Sequence, residues 1–362
     1  MSNKYLNLFA VSALFLGASI CFTSCNKDDD NNNAAPEITS AKKVFILNEG
    51  NWNGNNASLD IYYPDGEKTY QSKVYAAQNG EILGDTGQDL LYYGGKVYVS
   101  VWGSSYLAKL DSTGKVIEKH NFTAEEGQPR YLAAKDGFVY VSTYGGKVAK
   151  FDTASIVAPK GFVEVGPHPE EMCVKDNYLY TVISGDYNVK YENKIAVVDL
   201  SSFTFKENIE ILDDPTNILS FKDKLYVVYY SDPMSGVQAI LEVDPAAKSY
   251  KVMADGSKLA TDGANLYYIH SATDWSDYPN VKTVTTFHKY GSSDNFLDLT
   301  STPELSSSII YLFDIDPDNG DFYLGITDTQ TSGTVYRFDK TGKFIAKFET
   351  SGLNPNHAVF VK

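Results

Sequence analysis

The chain has 362 residues, with 31 Lys+Arg against 46 Asp+Glu and a formal net charge of −15. The basic residues are dispersed and form no cluster. Nucleic acid is therefore a poor candidate partner, because neutralising phosphates needs a basic patch. The acidity fits a surface that resists association.

The N-terminal stretch Leu6–Phe22 is apolar and rich in small residues. It runs into Phe22-Thr23-Ser24-Cys25 and then Asn26-Lys27-Asp28-Asp29-Asp30. It is too short, and too close to the cysteine, for a good transmembrane helix, so residues 1–24 read as a signal peptide. The stretch resembles a bacterial lipoprotein signal, which implies cleavage before Cys25 and a lipid on that residue. Cys21 fits less well because Ile20 is bulky for the position before a cut. The acidic run after Cys25 resembles the surface-export signal of Bacteroidetes lipoproteins. Residues 25–42 then read as an acidic, Asn-rich tether. Only Cys173 remains in the mature chain, so no intramolecular disulfide can form there. Its setting, Met172-Cys173-Val174, reads as a buried, inert thiol.

From Lys43 onward the chain repeats. One strand pattern returns as KVYVS (Lys96–Ser100), FVYVS (Phe138–Ser142), YLYTV (Tyr178–Val182), KLYVV (Lys224–Val228), NLYYI (Asn265–Ile269) and DFYLG (Asp321–Gly325). A second returns as YLAKLD, KVAKFD, KIAVVDL, AILEVD and TVYRFD. The clearest unit is 127–166, where Lys135-Asp136-Gly137 and Tyr144-Gly145-Gly146 supply hairpin turns that tolerate positive φ. A period of about 40–50 residues with four strands per unit predicts a β-propeller. The reading is all-β: seven four-stranded antiparallel blades over 43–362. Lys43–Leu47 looks like a second strand with nothing before it, followed by Asn56–Tyr62 and Thr69–Tyr75. The end of the chain, Asn354–Lys362, looks like a first strand with nothing after it. One blade built from both termini closes the ring and removes open edges. The other blades are expected at 85–122, 127–166, 168–212, 214–255, 256–303 and 306–350. The sixth is the least regular.

Loops joining strands two and three, and loops joining successive blades, emerge on one face. That face is elaborated, while the opposite turns are minimal. Function tends to sit on loops displayed by a rigid scaffold. Trp52, Trp102 and Trp275 all fall there, with Tyr144 and Tyr230, and with Asn48, Arg130, His168, Asn217 and His357 as polar partners. These ten residues are the candidate ligand contacts. Loop aromatics with polar neighbours grip a partly planar ligand or anchor a protein interface.

Enzyme constellations are not apparent. There is no Gly-x-Ser-x-Gly elbow, Walker loop or His-Glu-x-x-His helix. His168-Pro169-Glu170-Glu171 lies in a turn rather than on a helix. Asp314–Asp321 has the letters of a calcium loop, but Asn319 stands in place of its Gly and Gly325 in place of its bidentate Glu, so Asp318–Asp321 reads as a turn between the first two strands of its blade. The expectation is no catalytic residue, no metal and no cofactor.

Phe45–Trp52, Asn56-Ala-Ser-Leu-Asp60, Pro129-Arg-Tyr131, Val139–Gly145, Gly333-Thr-Val-Tyr336 and Pro355-Asn-His357 together resemble a family of Bacteroidetes surface lipoproteins. These are YncE-like seven-bladed propellers, also described as DUF5074 or surface-layer-like proteins. The resemblance covers about 43–362. It implies an outer-membrane, surface-exposed location. Through the related BtuG type, it implies capture of cobalamin or another bulky nutrient, handed to a TonB-dependent, BtuB-like transporter. Cobalamin would be a ligand rather than a cofactor, and membrane contact would be through the lipid alone. Two alternatives stay open: a lactonase-like propeller hydrolase, and an envelope protein-interaction module.

Overall fold

The computed structural model describes residues 43–65, 69–186, 189–232, 237–274, 276–277 and 282–362. The expected signal peptide, Cys25 and the expected tether lie outside the described residues. Among those described, no helix is long and apolar enough to cross a membrane.

Seven antiparallel sheets follow one another along the chain. Blade 1 joins Pro355–Val361 to Lys43–Asn48, Ser58–Tyr62 and Tyr70–Gln71. The terminal strands pair from Lys43↔Val361 to Asn48↔Pro355, as ring closure requires. Blades 2 to 5 begin with inner strands Gly87–Tyr93, Pro129–Lys135, Pro169–Lys175 and Pro215–Phe221. Blades 6 and 7 begin with Lys258–Thr261 and Ile309–Ile315. Each inner strand touches the next around the circle.

Strand alternation explains why the blades assemble. Val97, Val99 and Val101 pack toward blade 1, while Tyr98 packs toward blade 3. The same split recurs around the ring, giving seven apolar clusters, one at each interface between neighbouring blades. A single blade would leave both faces wet, so the closed ring is the stable unit. The Asp that ends the third strands also has a physical reason. Asp111, Asp152, Asp199, Asp244 and Asp339 each accept a backbone N–H from the following turn. This is the local Asx arrangement that favours turns. Asp136 and Gly137 both take positive φ, 50° and 80°, in the expected hairpin.

Two blades depart from the expected strand pattern, blade 1 in the length of its outer strand and blade 6 in strand number. In blade 1 the outer strand is only Tyr70–Gln71, and the rest of Thr69–Tyr75 turns into a short helix, Val74–Asn79. Val74 and Tyr75 are buried beneath it, and Gly80 ends it at φ 71°. Blade 6 has three strands, Lys258–Thr261, Leu266–Asp274 and Lys282–Lys289. The outer position is covered instead by an irregular segment. Phe296 from that segment lies 4.9 Å from the rings of both Tyr267 and Phe322.

Candidate functional site

The inner strands start on the loop face, and four of them start with proline: Pro129, Pro169, Pro215 and Pro355. Proline suits a first strand position because no ladder donor is needed there. Just beyond the start, register shifts occur at Gly87/Asp89, Pro129/Leu132, Pro169/Met172, Pro215/Asn217 and Ile310/Leu312, and opposite Pro355–His357. Bulges re-aim side chains. Here they bring polar residues onto the ring axis.

All seven blades line the resulting axial cavity of about 230 Å³. Asn356 and His357 come from blade 1, with Glu49 from its loop; Gln88 comes from blade 2, Arg130 and Tyr131 from blade 3, and Glu171 from blade 4. Asn217 of blade 5, Lys258 of blade 6, and Tyr311 and Asp314 of blade 7 complete it. Above it opens a mouth of about 380 Å³, which shares Arg130, Tyr131, Asn217, Lys258 and Tyr311. The mouth adds Glu170, Thr216, Tyr230, Gln238, Ser257, Ser271 and Thr273.

Three carboxylates on the inner strands join neighbouring blades. Asp89 accepts from Leu132 N at 2.7 Å, Glu171 from Ile218 N at 2.9 Å and Asp314 from Ala358 N at 2.7 Å. Asp89 is buried, and Glu171 and Asp314 are half-buried on the cavity wall. Burial therefore raises Glu171 to about 7 and Asp314 to about 6, and raises Asp89 well above the usual carboxylate range. Glu49 is also raised by burial, and it accepts a hydrogen bond from the Tyr311 hydroxyl. His357 Nε2 lies 3.4 Å from Asp89 Oδ1. Burial, then the nearby Lys258, holds this imidazole down at about 3, so the contact involves a neutral histidine near neutral pH. Lys258 is lowered by burial, against the attraction of Glu171, Glu49 and Asp314.

A second group extends from the mouth across the loop face. Arg130 donates from Nε (3.0 Å) and Nη2 (2.6 Å) to Glu170 Oε2, and from Nη1 to Gln88. Tyr144 donates to Glu170 Oε1 at 2.7 Å and lies beneath the Arg130 guanidinium, 4.6 Å from ring centre. Tyr144 stacks on His168 at 4.4 Å and meets Trp102 edge-on at 6.0 Å.

Arg130, Asn217, Tyr230 and His357 thus meet at the funnel, and Trp102, Tyr144 and His168 form the adjoining strip. Asn48 does not join them. It is fully buried and donates to Ser58 and Asp60 inside blade 1, where Asp60 also holds Tyr70 and Ser351. Trp52 is 72% exposed and lines neither cavity. Trp275 lies outside the described residues. Sequence reasoning missed Glu49, Gln88, Tyr131, Glu171, Lys258, Tyr311, Asp314 and Asn356. A signal existed for several: they sit one or two residues after the proline or small residue that starts an inner strand. Among the described residues, no group of three or more His, Cys, Asp and Glu could hold a metal ion. The Asp316–Asp321 segment is a turn, closed by Gly320 N donating to Asp316 O.

Residues 42–273 match the domain of unknown function DUF5074. The chain belongs to this family. The DUF5074 match spans blades 2 to 5 and all of blade 1 but its C-terminal strand, and reaches into blade 6. No curated protein sequence matches the chain. Among solved structures, a Bacteroides fragilis protein named as a candidate 6-phosphogluconolactonase superposes with a TM-score of 0.56 at 14% identity, covering 92% of this chain and 100% of that one. Kuenenia stuttgartiensis hydrazine synthase gives 0.58 at 16% identity, covering 74% and 88%. Apo AztD from Citrobacter koseri gives 0.50 at 12%, covering 89% and 98%. At these identities the likeness is one of fold.

Proposed function

We propose that this DUF5074 protein captures a ligand at the loop-face funnel and does not transform it. The observation that carries this reading is convergence: all seven blades deliver side chains to one axial cavity. Its mouth lies within the range of small-ligand sites, about 300–1,000 Å³. Asp89, Glu171 and Asp314 each accept a backbone N–H of the next blade, so these carboxylates help to hold the ring together. That structural role supports binding over acid–base chemistry. The closed ring holds the contacts in place before the ligand arrives, which lowers the ordering cost of binding.

Cobalamin or a related corrinoid is the candidate ligand that the sequence resemblance supplies. A corrinoid is bulkier than the mouth can enclose. It would lie across the mouth, against Trp102, Tyr144 and His168, with polar groups directed at Arg130, Asn217 and Tyr230. In this reading a lipid on Cys25 anchors the protein at the outer surface, and a TonB-dependent transporter receives the ligand. Calorimetry with cyanocobalamin, with haem as control, tests it. Saturable binding that is lost in Trp102→Ala is the expected result. Absence of heat and of any thermal shift would reject the corrinoid. Turnover of a sugar lactone that disappears in Glu171→Gln would overturn capture in favour of hydrolysis.

A further inference from the structure

Lys258 sets the chemistry of the funnel. Its side chain lines both the axial cavity and the mouth. Unlike the bulged inner strands, the Lys258–Thr261 strand pairs without a register shift. Among the described residues the ammonium has no hydrogen-bond acceptor and no carboxylate within ion-pair distance. The face of Tyr311 lies 5.2 Å away at its ring centre, and Glu171, Glu49 and Asp314 attract the ammonium from beyond ion-pair distance. Three donors therefore stand uncommitted at the junction of the two cavities.

The acceptors around it are also incompletely used. Among the described residues, Glu49 accepts only from the Tyr311 hydroxyl and Asp314 only from Ala358 N. A carboxylate has about four acceptor sites, so each keeps free capacity toward the cavity. The amides of Asn217 and Asn356 share the same walls. At the mouth, Thr216, Ser271, Thr273 and Tyr230 supply hydroxyls. Arg130 and Glu170 are already paired with each other there.

Charge balance then discriminates between ligand classes. An anion drawn to Lys258 would face Glu49, Glu171 and Asp314. A cation drawn to those carboxylates would face Lys258 and Arg130. An uncharged hydroxyl donates to a carboxylate and accepts from an ammonium at once, so a polyol meets both needs without net charge. Tyr131 and Tyr311 also line the cavity and supply aromatic surface for its C–H groups.

We propose that the axial cavity receives an uncharged polyhydroxylated group of the sugar class, held between Lys258 and the carboxylates of Glu49 and Asp314. The proposal rests on the capture reading above and adds the chemical class of what enters the funnel.

The test is ligand-observed NMR and calorimetry on the mature protein with glucose, galactose, mannose, N-acetylglucosamine and myo-inositol. Gluconate and glucosamine serve as the anionic and cationic arms, and cyanocobalamin is measured in parallel. The expected result is binding of at least one neutral polyol, little affected by salt, and weaker for both charged arms. Lys258→Met and Glu49→Gln should each weaken it about 10- to 100-fold, the worth of one hydrogen bond to a charged group. Lys258→Met keeps most of the length of the side chain, and Tm of both variants is measured alongside binding. Glu49→Gln keeps its shape, so a lost fold in one variant leaves the other informative. Preference for gluconate or glucosamine, binding indifferent to both variants, or no polyol binding at all would each overturn the proposal. Cyanocobalamin binding without polyol binding would leave capture standing and remove this inference. Polyol binding without cyanocobalamin would do the reverse for the corrinoid.

Discussion

Glu171 makes the stability of the ring depend on pH in a calculable way. Burial raises its pKa from 4.5 to about 7 in the folded protein. Between those values the folded state holds a proton that the unfolded chain has released. Its contribution to stability is therefore fully present below about 4.5 and is lost as pH rises through about 7. The full shift corresponds to about 3 kcal/mol at about 1.4 kcal/mol per unit. Glu171 is only half-buried, so solvent screening reduces this to about 2 kcal/mol. Asp314 and Asp214, each raised to about 6, act in the same direction. His357, held at about 3, acts oppositely: it favours the fold above about 6.5 and costs stability as pH falls toward 3. Comparison with Glu171→Gln isolates the one group, because Gln can still accept from Ile218 N. Thermal unfolding at pH 5 and pH 8 should show the wild type losing several degrees more than the variant. Equal losses in the two proteins would refute the argument that Glu171 ionises against burial.

Arg337→Met should destabilise by about 3–5 kcal/mol, since it strands the carboxylate of Asp321, which it contacts at 2.6 Å with both side chains 8% exposed. Urea unfolding at pH 7 reads this directly, and a loss under 1 kcal/mol would show that Asp321 finds another partner. Gly127→Ala should cost about 2–4 kcal/mol, because φ is +83° and a Cβ would overlap the backbone of Gly145. A tolerated alanine would mean that the blade 3 loops can separate. Cys173 is half-buried, and burial with the nearby Glu171 charge pushes its thiol up, so a disulfide reagent at pH 8 should label it much more slowly in the folded protein than after unfolding. Rapid labelling of the folded protein would contradict that environment.

The fold was legible wherever the repeat was local. Asp136-Gly137 specifies its hairpin through two positive φ values, and the Asp at the end of five third strands specifies its turn through one carboxylate. Blade 6 was harder because no alternation marks Gly291–Pro303. Its outer position is filled by Phe296, whose aromatic partners, Tyr267, Phe287, Phe313 and Phe322, are distant in sequence. The helix after Gln71 was masked by Val74 and Tyr75, which read equally well as strand. Buried as helix residues, they pack beneath the first blade.

The site was half legible for a different reason. Loop tryptophans advertise binding in any propeller sequence, so they drew attention first, yet Trp52 stands apart from both cavities. Lys258, Glu171 and Asp314 look like ordinary polar residues on short strands. Their importance comes from seven-fold convergence, which no single repeat reveals. Aligning the repeats on the start of the first strand would have revealed it. Pro129-Arg130-Tyr131, Pro169-Glu170-Glu171, Pro215-Thr216-Asn217 and Pro355-Asn356-His357 then stack as one column, and Ser257-Lys258 and Ile310-Tyr311 join it. In a closed ring that column is the axis. A propeller sequence should therefore be searched for function down the column at the start of its first strands as well as along its loops.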